Sequence, residues 1–253
     1  MKKAALFIVV ASMLLLPSCA STAKTKAKHL FECSEKVHDA LEKFNKKRYS
    51  SAQFILTDVI AQCPGHGSID TALFFLGKSW LGMKKPDEAK LEFERLIQNY
   101  SNSPFNEEAH YLAGYSNFRS SSPWYLDQTS TKEAVQRLRE FIEAFPQSPF
   151  IDSAQFCIDS CNEKLAKKEY EAARFYEKIA RYEAAIVYLK NVVEEFPHST
   201  LLSQVKLSMA DDLIRVKRTD EADALLDELL QQTADETIAK KARAIKARIQ
   251  KKS

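Results

Sequence analysis

Apolar residues recur along this chain at one set of spacings. In the stretch 182–197 a small residue, Ala185, is followed by Leu189 and Val192, and Pro197 ends the run. Steps of four and then three put these groups on one face of a helix. Proline cannot continue a helix, so it marks the stop. The same spacing fits Ala52, Leu56, Val59 and Pro64, and Ala134, Leu138, Phe141 and Pro146. It also fits Ala89, Phe93 and Leu96, with Ser101 in the proline's place, and Ala222, Leu226 and Leu229, ending at Ala234. A second stripe lies upstream of most of these runs. Twelve positions before the leading alanine stand Ala40, Gly77, Ala173 and Ala210, followed three later by Lys43, Trp80, Tyr176 and Leu213. In the middle unit the small residue is Gly114, twenty before Ala134, which implies an insertion of about eight residues. Each unit is thus a pair of helices, with a small residue on each to let the two approach.

Five such pairs in order resemble tetratricopeptide repeats, helix–turn–helix units that stack into a solenoid. The expected fold is all-α, a tetratricopeptide-repeat α-solenoid of about five repeats, at about 30–64, 68–101, 105–146, 150–197 and 200–234. Composition agrees, because the chain holds only 5 glycines and almost no period-two alternation. The formal charge of +3 over 253 residues is small, so no nucleic-acid partner follows from it.

The first residues have a different pattern. Lys2 and Lys3 precede an apolar run over 4–16, too short to span a bilayer but suited to a signal peptide. It ends Leu16-Pro17-Ser18-Cys19, which resembles a bacterial lipobox with proline in place of the usual small residue. That resemblance implies a signal peptide over 1–18 and lipid attachment at Cys19, followed by a polar tether over 19–29. Two or more acyl chains hold a protein stably at a bilayer. Ala20 after the cysteine implies the outer membrane. A fully extended tether reaches at most about 30 Å, which keeps the repeats near the membrane.

Four further cysteines remain. Cys33 and Cys63 each lie about fifteen residues from the expected turn near Arg48–Tyr49, so an antiparallel hairpin sets them side by side. A disulfide is expected there, since an exported protein meets oxidising conditions. Cys157 and Cys161 are one helical turn apart and are read as core packing. Between the helices of the third unit, Trp124, Tyr125 and Leu126 stand in a long loop and are followed by Asp127 and Gln128. Apolar groups there either pack down or await a partner, which makes the five a candidate partner-binding loop. Thr131 marks the next helix start. The stretch 150–196 lacks glycine and proline, so it holds either one lengthened helix or two with a bend near Lys167–Lys168, with a turn near Ala180–Arg181. Segment 236–253 is a basic C-terminal helix or tail. Its seam of Ile238, Ala242, Ile245 and Ile249 reads as a capping helix, or else as a face for a partner helix or anionic lipid.

Several features together are similar to the BamD family, the lipoproteins of the outer-membrane β-barrel assembly (BAM) machinery. They are the lipobox, the five repeats, repeat ends written Tyr100-Ser101-Asn102-Ser103-Pro104, Phe145-Pro146-Gln147-Ser148-Pro149 and Phe196-Pro197-His198-Ser199-Thr200, then Leu126-Asp127-Gln128-Thr129 and Leu165-Ala166-Lys167-Lys168-Glu169-Tyr170. The resemblance implies a lipid-anchored protein on the periplasmic face of the outer membrane. It implies binding to the POTRA domains of BamA through the C-terminal repeats. The N-terminal repeats would receive unfolded outer-membrane β-barrel proteins, alongside the other lipoproteins of the complex. The basic tail matches no motif of that family. The five histidines are scattered, and no glycine loop or metal-ligand spacing appears, so neither catalysis nor a cofactor is expected. The alternative is a tetratricopeptide scaffold for a pilus or secretion apparatus.

Overall fold

The computed structural model describes residues 19–250, and these residues form eleven α-helices without a strand among them. The signal segment expected over 1–18 lies outside the described residues. Helices α1 (Cys19–Asn45) and α2 (Tyr49–Gln62) make the first hairpin, and α3 (Ile69–Gly82) and α4 (Pro86–Asn99) the second. Then follow α5 (Asn106–Ser120) with α6 (Thr129–Ala144), α7 (Ile151–Lys178) with α8 (Tyr182–Glu195), and α9 (Leu202–Arg215) with α10 (Thr219–Gln232). Helix α11 (Glu236–Gln250) packs on α9 and α10. Each helix packs against its neighbours in chain order, as a stack of hairpins requires.

The recurring triplet is the core. In α2, α4, α6, α8 and α10 the alanine and the two large residues behind it are at most 1% exposed. The small residues opposite are needed at contact distance. A Cβ on Gly77 would stand 2.6 Å from the Phe93 ring, and one on Gly114 would stand 2.8 Å from the Leu138 side chain. Both clashes are well inside van der Waals contact, so in the second and third pairs the first helix must be bare where the second inserts its large residue, while the other pairs admit the single methyl of Ala40, Ala173 and Ala210.

Two kinds of connection alternate. Within the first, second, fourth and fifth pairs the turn is residues 46–48, 83–85, 179–181 and 216–218. Its middle residue has positive φ: Lys47 57°, Lys84 60°, Ala180 55° and Lys217 65°. The following amide bonds back across the helix end, as from Arg48 N to the Lys43 carbonyl at 2.9 Å and from Arg218 N to the Leu213 carbonyl at 2.8 Å. This is a Schellman C-cap, and it satisfies carbonyls the helix would leave open. Between pairs the chain crosses in short loops. The hydroxyls of Ser103, Ser148 and Ser199 accept from the amides of Phe105, Phe150 and Leu201 at 3.2–3.3 Å.

Helix boundaries and cysteine placement decide several expectations. Residues 20–29 continue α1 as helix, so the ten of them cover about 15 Å, within the reach of at most about 30 Å that full extension sets. Helix α6 begins at Thr129, two residues before Thr131, because Asp127 Oδ1 accepts from the Thr129 amide at 3.0 Å. Helix α7 is one continuous element of 28 residues. Its apolar stripe is unbroken: Ala154, Cys157, Ile158 and Cys161 pack with α6, and Leu165, Ala166 and Ala173 pack with α8. Cys33 and Cys63 form a disulfide with Cα atoms 6.1 Å apart. Cys157 and Cys161 are free and buried, and burial pushes the Cys161 thiol up to about 11. The seam of α11 is buried, so that helix caps the last pair.

Candidate partner-binding surface

The third hairpin lacks the three-residue turn. Segment 121–128 replaces it, and that segment is held down from two sides. Gln128 is the inner fastening. It is only 4% exposed. Its Nε2 donates to the Pro123 carbonyl at 2.7 Å and the Leu126 carbonyl at 3.2 Å, and its Oε1 accepts from Thr131 Oγ1 at 2.8 Å. Thr131 Oγ1 also lies 2.7 Å from Ser121 Oγ, which ties the two ends of the loop together. A buried amide bonded on both of its atoms fixes backbone that would otherwise be free to move.

The outer fastening is a row of lysines on α7. Lys164 Nζ donates to Ser121, Lys168 Nζ donates to the Leu126 carbonyl at 3.0 Å, and Lys167 Nζ stands 5.3 Å from the centre of the Trp124 ring. Positions 164, 167 and 168 follow the three- and four-residue spacing of one helix face. The lysines are therefore the structural use of the unusually long α7, whose middle passes beside the loop. Asp127 is the junction with α6, and its bond to the Thr129 amide holds its carboxyl below the usual range.

Pinned in this way, the loop divides its apolar groups. Trp124 is half-buried and meets Tyr125 edge-on with ring centres 5.5 Å apart. Tyr125 is 63% and Leu126 50% exposed. A cavity of about 160 Å³ lies alongside, lined by Asp127, Gln128, Lys132, Leu165, Lys168 and Glu169 among others. Such a site offers an aromatic anchor with a polar rim, the composition of a protein contact. The five candidate loop residues thus lie together, but in two roles: Trp124, Tyr125 and Leu126 form the face, while Asp127 and Gln128 support it. Lys164, Lys167 and Lys168 were missed as site residues. Their spacing on one face was the available signal, but nothing in the sequence shows what stands opposite them.

Other candidates lie elsewhere. The Cys33–Cys63 bridge is in the first hairpin, and Cys19 opens α1. No described helix is long and apolar enough to cross a membrane. Among the described residues no group of three His, Cys, Asp or Glu side chains is placed to hold a metal ion.

Comparison with known proteins places the chain. It is 27% identical over 135 residues to the outer membrane protein assembly factor BamD of Caulobacter vibrioides, over 53% of this chain and 44% of that protein. It is 27% identical over 188 residues to a putative outer membrane protein assembly factor BamD of Aquifex aeolicus, over 73% of this chain and 60% of that one. The chain thus spans less than two thirds of the length of either relative. Among solved structures, the P58(IPK) TPR domain overlaps 92% of this chain and 59% of its own, with 17% identity and a TM-score of 0.45. The model of the YfiO family of outer membrane lipoproteins matches residues 32–213. That match covers well over half of the chain and all of the first four hairpins from residue 32 onward, so this chain belongs to the YfiO family of outer membrane lipoproteins.

Proposed function

We propose that this protein is a non-enzymatic lipoprotein of the BAM complex, which acts by binding and not by bond chemistry. Lipid on Cys19 holds it at the periplasmic face of the outer membrane. The C-terminal repeats, with the loop 121–128 next to them, bind the POTRA domains of BamA, beside the other lipoproteins of the complex. The N-terminal repeats receive unfolded β-barrel clients before insertion. The observation that carries this reading is the loop 121–128, an apolar tip exposed at Tyr125 and Leu126 yet fastened by Gln128 and Lys168. A free loop of this composition would collapse onto the nearest apolar surface. A fastened one stays open at no further ordering cost when a partner arrives.

The test is co-purification of BamA with the full-length lipidated protein in mild detergent, beside a Tyr125→Ala/Leu126→Ala variant. Wild type is expected to retain BamA, and the double variant to lose it at an unchanged melting temperature. Retention of BamA by neither protein would end the reading. A depletion strain that loses one secretion apparatus while its barrels stay intact would point instead to a secretion scaffold.

A further inference from the structure

The four tight turns are built against their own local physics. A Schellman cap needs its central residue in the left-handed region, where glycine or asparagine is the ordinary occupant. Three of these four positions are lysine: Lys47, Lys84 and Lys217. The next residue is the N-cap of the following helix, where Ser, Thr, Asp or Asn is favoured and positive charge is opposed by the helix dipole. All four of those positions are basic, namely Arg48, Lys85, Arg181 and Arg218, and none makes a side-chain capping bond. No acid occurs in any of the four turns. The loops on the opposite edge, 63–68, 100–105, 145–150 and 196–201, contain neither lysine nor arginine. The connections at one edge are thus basic in four of the five hairpins, while that of the third, 121–128, carries no lysine or arginine and holds Asp127.

Much of that charge is uncompensated. Lys46 pairs with Glu42, and Arg218 with Glu221 at 2.7 Å and Glu183 at 3.4 Å. Lys85 reaches Glu88 at 3.9 Å. Lys47, Arg48, Lys84, Arg181 and Lys217 are exposed and make no ion pair among the described residues. A residue that weakens its own turn at several equivalent sites is retained for something beyond the fold.

We propose that this edge is the docking surface for an extended acidic segment of a protein partner. Neighbouring helices pack about 8–10 Å apart, so equivalent turns of adjacent hairpins lie roughly 16–20 Å apart. An extended chain rises about 3.3 Å per residue and would meet the basic turns of adjacent hairpins with acids about every five or six residues, and about twice that across the third hairpin. The direction of α1 selects a protein over lipid headgroups. That helix ends at this edge and begins at Cys19, 27 residues and about 40 Å away. This last step rests on the lipid anchor proposed above, which puts the bilayer at the far end of α1.

The test uses the mature chain with Cys19→Ala and a fluorescent poly-glutamate peptide, read by anisotropy at low and physiological salt. Wild type is expected to bind with an affinity that falls as salt rises. The variant Lys47→Gly/Lys84→Gly/Lys217→Gly is expected to bind roughly tenfold more weakly, with a melting temperature equal to or above wild type. A control, Arg139→Ala/Lys240→Ala/Lys241→Ala, removes as much charge elsewhere and is expected to bind nearly as wild type does. The proposal is overturned if the glycine variant binds as wild type does, or if the control loses as much. It is also overturned if vesicles of phosphatidylethanolamine and phosphatidylglycerol bind this edge and the peptide does not. BamA co-purification is independent of all these outcomes, so failure here leaves the assembly reading standing, and the reverse holds too.

Discussion

At the residue scale the least comfortable group is Asp212 on α9. Its carboxyl is 3% exposed, and its Oδ2 is buried without a hydrogen-bond partner. Burial, and then the facing Glu177 carboxylate, push its pKa up from 3.8 to about 7. Glu177 in turn accepts from Ser208 Oγ at 2.6 Å. The folded protein therefore binds this proton more tightly than the unfolded chain. The associated stability is present in full below about pH 4 and is lost as pH rises through about 7. Asp212→Asn keeps the shape and cannot ionise. The variant should gain on wild type by roughly 2 kcal/mol between about pH 5 and pH 8, read by denaturant unfolding. An equal difference at both pH values would show that Asp212 is already charged at the lower one.

At the scale of elements, the loop 121–128 is the one connection with a polar core of its own. Gln128→Leu keeps the bulk and removes three hydrogen bonds, leaving the Pro123 and Leu126 carbonyls and the Thr131 hydroxyl without that partner. The expected loss is about 1–3 kcal/mol, concentrated in the loop. Hydrogen exchange should quicken over 121–131 and stay unchanged in α3 and α4. Uniform loss across the chain would mean that the loop supports the whole stack. The same elements show what can be read from sequence. The five triplets were legible because one small residue and two large ones at fixed steps permit one buried face, and all five are buried. The loop was legible as an anomaly of length and composition. Its fastening was not, since Gln128 and Lys168 meet the loop backbone through contacts that no side-chain spacing encodes. The bend near Lys167–Lys168 was an open question for a related reason. Two adjacent lysines neither break a helix nor continue an apolar stripe, and the fastening of Lys168 to the loop explains their place. The lysine C-caps were invisible because lysine is a poor occupant of that backbone region.

At the scale of the whole molecule, a stack of hairpins has no single core, and its stability is a chain of neighbour interfaces. The two ends are closed by different means. The disulfide joins the first two helices at Cys33 and Cys63, while α11 covers the last pair through Ile238, Ala242, Ile245 and Ile249. Lys246 adds ion pairs to Asp223 at 2.9 Å and Asp227 at 2.7 Å, both on α10. These charges sit at the rim, so most of the hold is apolar. Ending the chain after Asp235 removes that cover. Three isoleucines each contribute about 1.5 kcal/mol or more on burial, so the last hairpin should lose roughly 4 kcal/mol. Because each hairpin depends on its neighbours alone, the loss should fade along the stack. Amide exchange is expected to accelerate strongly in α9 and α10, less in α8, and not in α1–α4, where the disulfide closes the other end. Acceleration of equal size in α2 and α10 would mean that the hairpins unfold as one unit. A basic edge running along several of them would then be presented by a single rigid body, whereas graded exchange would leave its two halves, around Lys47 and Lys84 and around Arg181 and Lys217, free to adjust separately to a partner.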